Sequence, residues 1–196
     1  GFESLQVHQN EVCMKKISSI NPSKKAIISE VEFSTMEEIE NIFLNAKVAQ
    51  KSWELLTLQE RLKFIKELYH IFNSEKETLS FLISQEMGMP INESIEDVNS
   101  GLHFLDWYIN NAGKYLSPEI TFEDDSSIDK AFYEPKGVVA SIIPWNFPFS
   151  NIVWQACQNL IVGNVLEMAG YQQKRYVVMK FIHDEKHIVF HSMSFI

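Results

Sequence analysis

The segment from Gly137 to Ile143 constrains the fold most, because it is a near-continuous run of β-branched and small residues that ends at Pro144. Such a run predicts a strand buried on both faces of a parallel sheet. Apolar positions from Phe149 to Ile161 then recur at helical spacing, so strand, turn and helix open a βα unit. Ligands of such sheets bind at the carboxyl ends of the strands. Residues 144–148 are therefore the candidate site.

The chain ahead of this unit is predicted to begin with a hairpin and two helices. Apolar stretches around Asn21-Pro22-Ser23 predict a β-hairpin within residues 17–31, at a sheet edge. Ser34 and Thr57 are each followed three residues later by Glu, the capping-box arrangement in which hydroxyl and carboxylate satisfy free backbone amides. An amphipathic helix is expected after each of them.

Two more helices and a polar connection are expected before the parallel strand. A third helix should run from about Glu75 to Met87 and stop at Gly88, and a fourth from about Glu93 to Asn111, with Gly113 as its stop. The polar, acidic residues 117–130 indicate an exposed loop or hairpin tip. Residues 131–135 are predicted to form a strand.

The composition excludes several classes of protein. The chain has 26 Asp+Glu against 17 Lys+Arg, a formal net charge of −9, which disfavours a nucleic-acid partner. Two cysteines cannot build a disulfide framework. No apolar run approaches the roughly 18 residues of a membrane span, and the first residues lack a signal-peptide pattern. We therefore expect no membrane partner and a cytoplasmic location.

The cluster Pro144-Trp145-Asn146-Phe147-Pro148 is the most informative motif. Two prolines make the turn rigid, so the side-chain amide of Asn146 can be held as a fixed hydrogen-bond donor. Fixed donors stabilise a developing oxyanion. The alternative is a tight turn with Trp145 packed in the core, and the residues alone leave both interpretations open.

Other candidate sites are weaker. No glycine-rich dinucleotide fingerprint, P-loop, C-x-x-C or H-E-x-x-H motif is present. His183, His187 and His191 recur at spacings of four, but the residues between them favour a strand, so no metal site is predicted. Cys157 falls in an apolar helix and is expected to be an inert buried thiol. Cys13 is a weaker candidate for a nucleophile than Cys157.

Several motifs in order resemble the aldehyde dehydrogenase superfamily. Asn21-Pro22, the helix from Ala46 to Trp53 and Glu86-Met87-Gly88-Met89-Pro90 are similar to the family's N-terminal region. The stretches Glu134–Ala140, Ile143–Pro148 and Gly163-Asn164 resemble the opening of its cofactor domain. The resemblance covers about residues 17–164 and is nearest to the semialdehyde-oxidising branch.

The resemblance implies an α/β fold, in which a helical segment with an edge β-hairpin leads into the start of a Rossmann-like cofactor-binding domain. It implies NAD(P)-dependent oxidation of an aldehyde to an acid through a thioester on a cysteine. Asn146 would donate to the oxyanion, and Ile143, Pro144 and Trp145 would line the cleft for NAD or NADP. The family's members usually oligomerise, so a homo-oligomer is a further expectation.

The sequence departs from the family after Asn164. The lysine that holds the cofactor ribose, the nucleophilic cysteine and the general-base glutamate have no counterpart. We therefore expect an extension over residues 1–16, the N-terminal part of an aldehyde dehydrogenase domain over 17–164 and a divergent tail over 165–196. A truncated or frameshifted gene that encodes an inactive chain would give this pattern. The alternative is a non-enzymatic remnant that uses its helical face and edge hairpin to pair with a full-length relative.

Overall fold

The structure, a computed structural model, describes residues 16–170 and 192–194. The N-terminal hairpin consists of β1 (Lys16–Ile20) and β2 (Ile27–Glu32), which pair in antiparallel fashion as expected. The Asn21 side chain closes the turn by accepting hydrogen bonds from the amides of Ser23 and Lys24, at 3.0 and 2.9 Å. The predicted hairpin is therefore confirmed, and among the described residues it forms a two-stranded sheet of its own.

Four helices follow: α1 (Met36–Trp53), α2 (Leu58–Ser74), α3 (Lys76–Met87) and α4 (Ile91–Tyr115). The capping box of α2 is formed by Thr57 and Glu60, as predicted. The box of α1 lies one residue later than predicted and uses Thr35 and Glu38. Adjacent hydroxyls and adjacent glutamates make both registers possible in the sequence, and the structure selects the second.

The ends of α3 and α4 differ in their use of glycine. Gly88 adopts the left-handed conformation, with φ of 69°, and ends α3 as expected. Gly113 was expected to end α4, but that prediction is wrong, because the helix continues to Tyr115. Gly113 keeps a negative φ. A glycine ends a helix only where the chain must turn, and here it stays helical.

The acidic connection forms a second hairpin, from β3 (Glu119–Glu123) and β4 (Ile128–Ala131), with every residue exposed. Asp124 closes its tip by accepting from the amides of Ser126 and Ser127. The strand predicted from Ala131 to Pro135 is wrong beyond Ala131. Pro135 lacks an amide hydrogen for a ladder, and no described strand pairs with residues 132–135.

The βα unit is present. Strand β5 (Val138–Ile143) is followed by α5 (Pro148–Ile152), a π-helical turn (Val153–Cys157) and α6 (Gln158–Val162). We call residues 148–162 the composite helix. Strand β6 (Val165–Gly170) pairs in parallel with β5, and β7 (Ser192–Ser194) pairs in parallel with β6. The parallel sheet is confirmed. The boundary after Asn164, between the family-like segment and a divergent tail, stays a prediction.

Burial of β5 is one-sided within the described residues. Ser141 and Ile143 are buried, whereas Ala140 and Ile142 are exposed. The prediction of a strand covered on both faces is therefore wrong for this part of the chain. The hydrophobic core lies where α2 and α4 pack against the composite helix and α3 packs on α4, with Phe72 and Phe149 in edge-to-face contact.

No helix within residues 16–170 is both long and apolar enough to cross a membrane. The three spaced histidines of the tail and Cys13 lie outside the described residues. Within the described part, no group of three or more His, Cys, Asp or Glu side chains is arranged to hold a metal ion.

Candidate functional site

The candidate site lies where β5 passes into the composite helix. Ile143, the last residue of the strand, is 4% exposed, whereas Pro144, Trp145, Asn146 and Phe147 form an exposed turn. Trp145 is 37% exposed, so its side chain is only partly packed. The turn is thus open at the carboxyl edge of the parallel strands, which is where the sequence predicts a ligand.

Asp97 holds the start of the composite helix in place. This α4 residue is buried, and its carboxylate accepts hydrogen bonds from the amides of Phe149 and Ser150, at 3.0 and 3.1 Å. The hydroxyl of Ser150 donates in return to the backbone oxygen of Asp97, at 2.9 Å. The carboxylate satisfies amides that the first helical turn leaves free. The turn is therefore anchored to α4.

Asn146 presents its amide to solvent from this anchored turn. The residue is exposed, and its side chain makes no hydrogen bond with any residue in the described part of the chain. One turn further along, the side chain of Asn151 donates to the backbone oxygen of Pro144, at 3.4 Å. A free donor next to a fixed backbone can bind a carbonyl or oxyanion without first breaking an internal bond.

The opposite end of the strand pair is fixed by Asn164 and Gln50. Asn164 accepts hydrogen bonds from the amides of Lys136 and Gly137, at 2.6 and 3.0 Å. Gln50 donates to the backbone oxygen of Gly163 and accepts from the amide of Val165, at 3.0 and 2.7 Å. These residues start both strands in register. They position the site, but they lie at the end of the strands away from it.

A cleft of about 540 Å³ opens between α4 and the composite helix. On α4 its lining residues recur every four positions, so they share one face of the helix. On the other side the lining residues follow the turn at helical spacing. The α4 wall consists of Asn92, Glu93, Glu96, Asp97, Ser100 and Phe104, and the opposite wall of Phe147, Ser150 and Trp154.

This cleft adjoins the predicted site, because Phe147 follows Asn146 directly. Sequence reasoning identified Phe147 only as part of the turn motif and missed the other lining residues. The repeat of polar and aromatic side chains at positions 92, 96, 100 and 104 is the sequence pattern that could have indicated this wall of the cleft. It falls on the face of α4 away from the apolar stripe that predicted the helix.

Cys157 has the environment of a buried structural thiol. It lies within the π-helical turn, is fully buried, and burial raises the pKa of its thiol to about 12. A thiol with that pKa is almost entirely protonated at neutral pH, and the thiolate is the reactive form. The expectation of an inert buried cysteine agrees with this geometry.

Comparison with known proteins identifies the family. The model of the aldehyde dehydrogenase family matches residues 8–183. A 1-pyrroline-5-carboxylate dehydrogenase of Staphylococcus saprophyticus is 28% identical over 149 residues, which is 76% of this chain and 29% of that protein. The mitochondrial succinate-semialdehyde dehydrogenase of Arabidopsis thaliana is 32% identical over 138 residues, or 70% of this chain and 26% of that protein.

The chain also shares its fold with solved structures. PnpE, solved in complex with nicotinamide adenine dinucleotide, superposes with a TM-score of 0.82 at 22% identity, over 92% of this chain and 38% of that one. The α/β fold predicted from the sequence is thus confirmed. The chain spans less than a third of the length of the curated relatives above. Because the family model matches most of its residues, this chain belongs to the aldehyde dehydrogenase family.

Proposed function

We propose that this chain carries the aldehyde-positioning part of an NAD(P)-dependent aldehyde dehydrogenase, which oxidises an aldehyde to a carboxylic acid. The observation that supports it most is the unpaired side-chain amide of Asn146, held beside a cleft at the carboxyl edge of parallel strands. When a nucleophile attacks an aldehyde, negative charge develops on the carbonyl oxygen. Asn146 would donate a hydrogen bond to that oxygen.

The cleft between α4 and the composite helix would hold the rest of the aldehyde. Its aromatic residues Phe104, Phe147 and Trp154 offer apolar surface, and water leaves such surface favourably when a substrate binds. The anchor from Asp97 to the amides of Phe149 and Ser150 would keep Asn146 aligned with this cleft. A semialdehyde, the class expected from the sequence, stays a prediction at this site.

NAD(P), the cofactor of the family, would accept the hydride when bound. The open carboxyl edge of β5 and β6 fits such a ligand, because Ile142 and Trp145 present exposed apolar surface there. Pro144 and Trp145 would contact the cofactor with their side chains. Ile143 is buried, so its part in the cleft would come through its backbone.

The described residues can bind and orient, but they do not provide the first chemical step. Cys157 is their only cysteine, and its buried thiol cannot act as a thiolate. We therefore expect no aldehyde-dependent NADH formation from the purified chain, in line with the expectation of an inactive chain. Measurable turnover by the purified chain would contradict this expectation, and turnover that survives Cys157→Ser and Cys13→Ser together would also contradict the role assigned to a thiolate.

Cofactor binding is tested by thermal unfolding with NAD or NADP. A ligand at ten times its Kd stabilises the folded state by about 1.4 kcal/mol, which raises the unfolding temperature by roughly 3 to 6 °C in a domain of this size. Trp145→Ala should reduce that shift. Trp107→Ala is the matched control, since Trp107 is also partly exposed but lies on α4 outside the site. Equal shifts in both variants would exclude Trp145 from the cofactor cleft.

The role of Asn146 is tested by NMR with butyramide, an unreactive carbonyl analogue of butyraldehyde. The side-chain NH2 resonances of Asn146, assigned through their loss in Asn146→Ala, should move on addition of the amide. Resonances of Trp154 should move with them because it lines the cleft. If the resonances of Trp154 shift and those of the Asn146 side chain do not, Asn146 does not have the proposed role.

A second candidate function is assembly, and the hairpin of β3 and β4 favours it. All nine residues of its strands are exposed, among them Ile120, Phe122 and Ile128. An isolated two-stranded hairpin is marginally stable in water, so a packing partner would stabilise it. We propose that it pairs with a second copy of this chain or with a full-length relative. Light scattering of the purified chain should give the mass of a dimer or larger, and a monomer at high concentration would rule out self-pairing.

A further inference from the structure

The cleft beside Asn146 has walls of different character. Phe104, Phe147 and Trp154 provide aromatic surface, and Glu93 and Glu96 provide carboxylates from the face of α4. Lys, Arg and His are absent from the described residues that line it. A substrate in this cleft therefore meets negative charge and aromatic rings, with no cation to balance a carboxylate of its own.

The aromatic wall is held in a fixed arrangement. The rings of Phe104 and Trp154 lie at 78° to each other with centroids 5.4 Å apart, so they form a corner between α4 and the composite helix. Phe147 is 47% exposed beside them. The faces of aromatic rings carry negative potential and attract cations, and quaternary ammonium groups are recognised in such corners.

Two of the three carboxylates of the cleft are free to act on a ligand. The carboxylate of Asp97 is occupied by the amides that it caps. Glu93 and Glu96 are exposed. Among the described residues, their carboxylates make one hydrogen bond, which Glu96 accepts from the Asn99 side chain at 3.2 Å. Their charges would attract a cation in the cleft and repel an anion.

We propose that this cleft selects an aldehyde that carries an alkylated ammonium group, with Glu96, Glu93 and the corner of Phe104 and Trp154 as the specificity-determining residues. This inference rests on the proposed function, since it assigns the substrate class of the same cleft. The names of two relatives, 1-pyrroline-5-carboxylate dehydrogenase and succinate-semialdehyde dehydrogenase, refer to molecules that bear a carboxylate. In this chain such a carboxylate would face Glu93 and Glu96.

Three unreactive probes of the same shape test the proposal. Choline carries a trimethylammonium group, tert-butylethanol is its neutral carbon analogue, and tert-butylacetate is an anionic analogue. Titration of the purified chain, followed by the NMR resonances of Trp154, gives a Kd for each. Choline should bind about tenfold more tightly than the neutral analogue, as expected for a cation–π contact with an adjacent carboxylate, and the anion should bind most weakly.

Charge removal separates the carboxylates from the shape of the cleft. Glu96→Gln, alone and combined with Glu93→Gln, should reduce choline affinity by several-fold and leave the neutral analogue unchanged. Asp106→Asn is the matched control, because Asp106 is an exposed acid on α4 that does not line the cleft. Phe104→Leu keeps an apolar side chain and should reduce the preference for choline over the neutral analogue.

The outcomes distinguish this inference from the proposed function. Equal affinity for choline and the neutral analogue, or no effect of the double glutamine variant on choline, would overturn the selection of a cation while leaving the cleft as a binding site. Tighter binding of the anion would overturn it in favour of a semialdehyde. If none of the three probes and not butyramide shifts the resonances of Trp154, the cleft is not a binding site for such ligands, and both proposals fail.

Discussion

Glu167 is an acidic residue in a buried environment that its type does not predict. It lies on β6 with 3% of its surface exposed, and its Oε2 atom has no hydrogen-bond partner among the described residues. Burial raises the pKa of this carboxyl from 4.5 to about 7. Desolvation opposes the charged form, so the folded protein favours the protonated acid.

The raised pKa makes stability depend on pH in a definite direction. The folded state holds the Glu167 proton more tightly than the unfolded chain, so this contribution is complete below about pH 4.5 and is lost as the pH rises through about 7. Glu167→Gln should therefore raise the free energy of unfolding at pH 8 by roughly 2 to 3 kcal/mol and change it little near pH 4.5. Urea unfolding at both pH values measures this difference.

Glu123→Gln is the control for that measurement, because Glu123 is exposed on β3. It should change stability by less than about 0.5 kcal/mol at either pH. A gain for Glu167→Gln that is the same at both pH values would show that the effect comes from packing and not from charge.

At the scale of single residues, sequence reasoning identified the Asn146 turn but not Glu167 or the cleft. Two prolines around an amide are visible in the sequence, and the structure places that amide in an exposed turn. The burial of Glu167 depends on which elements cover β6, which no local pattern contains. For the same reason Phe104 and Trp154, fifty residues apart, could not be paired from the sequence.

At the scale of elements, the anchor between α4 and the composite helix connects the core to the site. Asp97→Ala removes the acceptor for two amides and leaves both unsatisfied in a buried position, so we expect a loss of about 2 to 3 kcal/mol in the free energy of unfolding. Asp97→Asn keeps one acceptor oxygen but sets its NH2 group against the other backbone amide, so it should lose at least half as much. Equilibrium urea unfolding of both variants measures the two losses.

Glu96→Gln is the matched control for Asp97, because it is the preceding residue on α4 and is exposed. Its effect on unfolding should stay within about 0.5 kcal/mol. If Asp97→Ala is no more destabilising than Glu96→Gln, the hydrogen bonds to Phe149 and Ser150 do not hold the turn.

Most elements were predictable because their signals are local. The hairpin turn at Asn21, the capping box at Thr57 and the stop at Gly88 depend on neighbouring residues, and each is confirmed. Errors arose where local signals compete or where a partner strand is needed. Helix α4 passes through Gly113, and residues 132–135 have no described strand to pair with.

At the scale of the whole molecule, the hairpin of β3 and β4 is one of the places where large apolar side chains are exposed. Both faces of this two-stranded sheet are open, and Ile120, Phe122 and Ile128 are each at least half exposed. Burial of apolar surface drives association, and a charge placed within such a surface opposes it. The oligomeric state should therefore depend on this hairpin.

Phe122→Lys should shift the purified chain toward monomer, with an increase of about tenfold or more in the dissociation constant measured by sedimentation. Phe81→Lys is the matched control, because Phe81 is 57% exposed on α3 and Phe122 is 50% exposed on β3. The two variants add the same charge in place of the same side chain, so solubility changes affect them equally. If Phe81→Lys dissociates the assembly and Phe122→Lys does not, the contact surface lies on the helices, and the hairpin needs another explanation for its exposed aromatic residue.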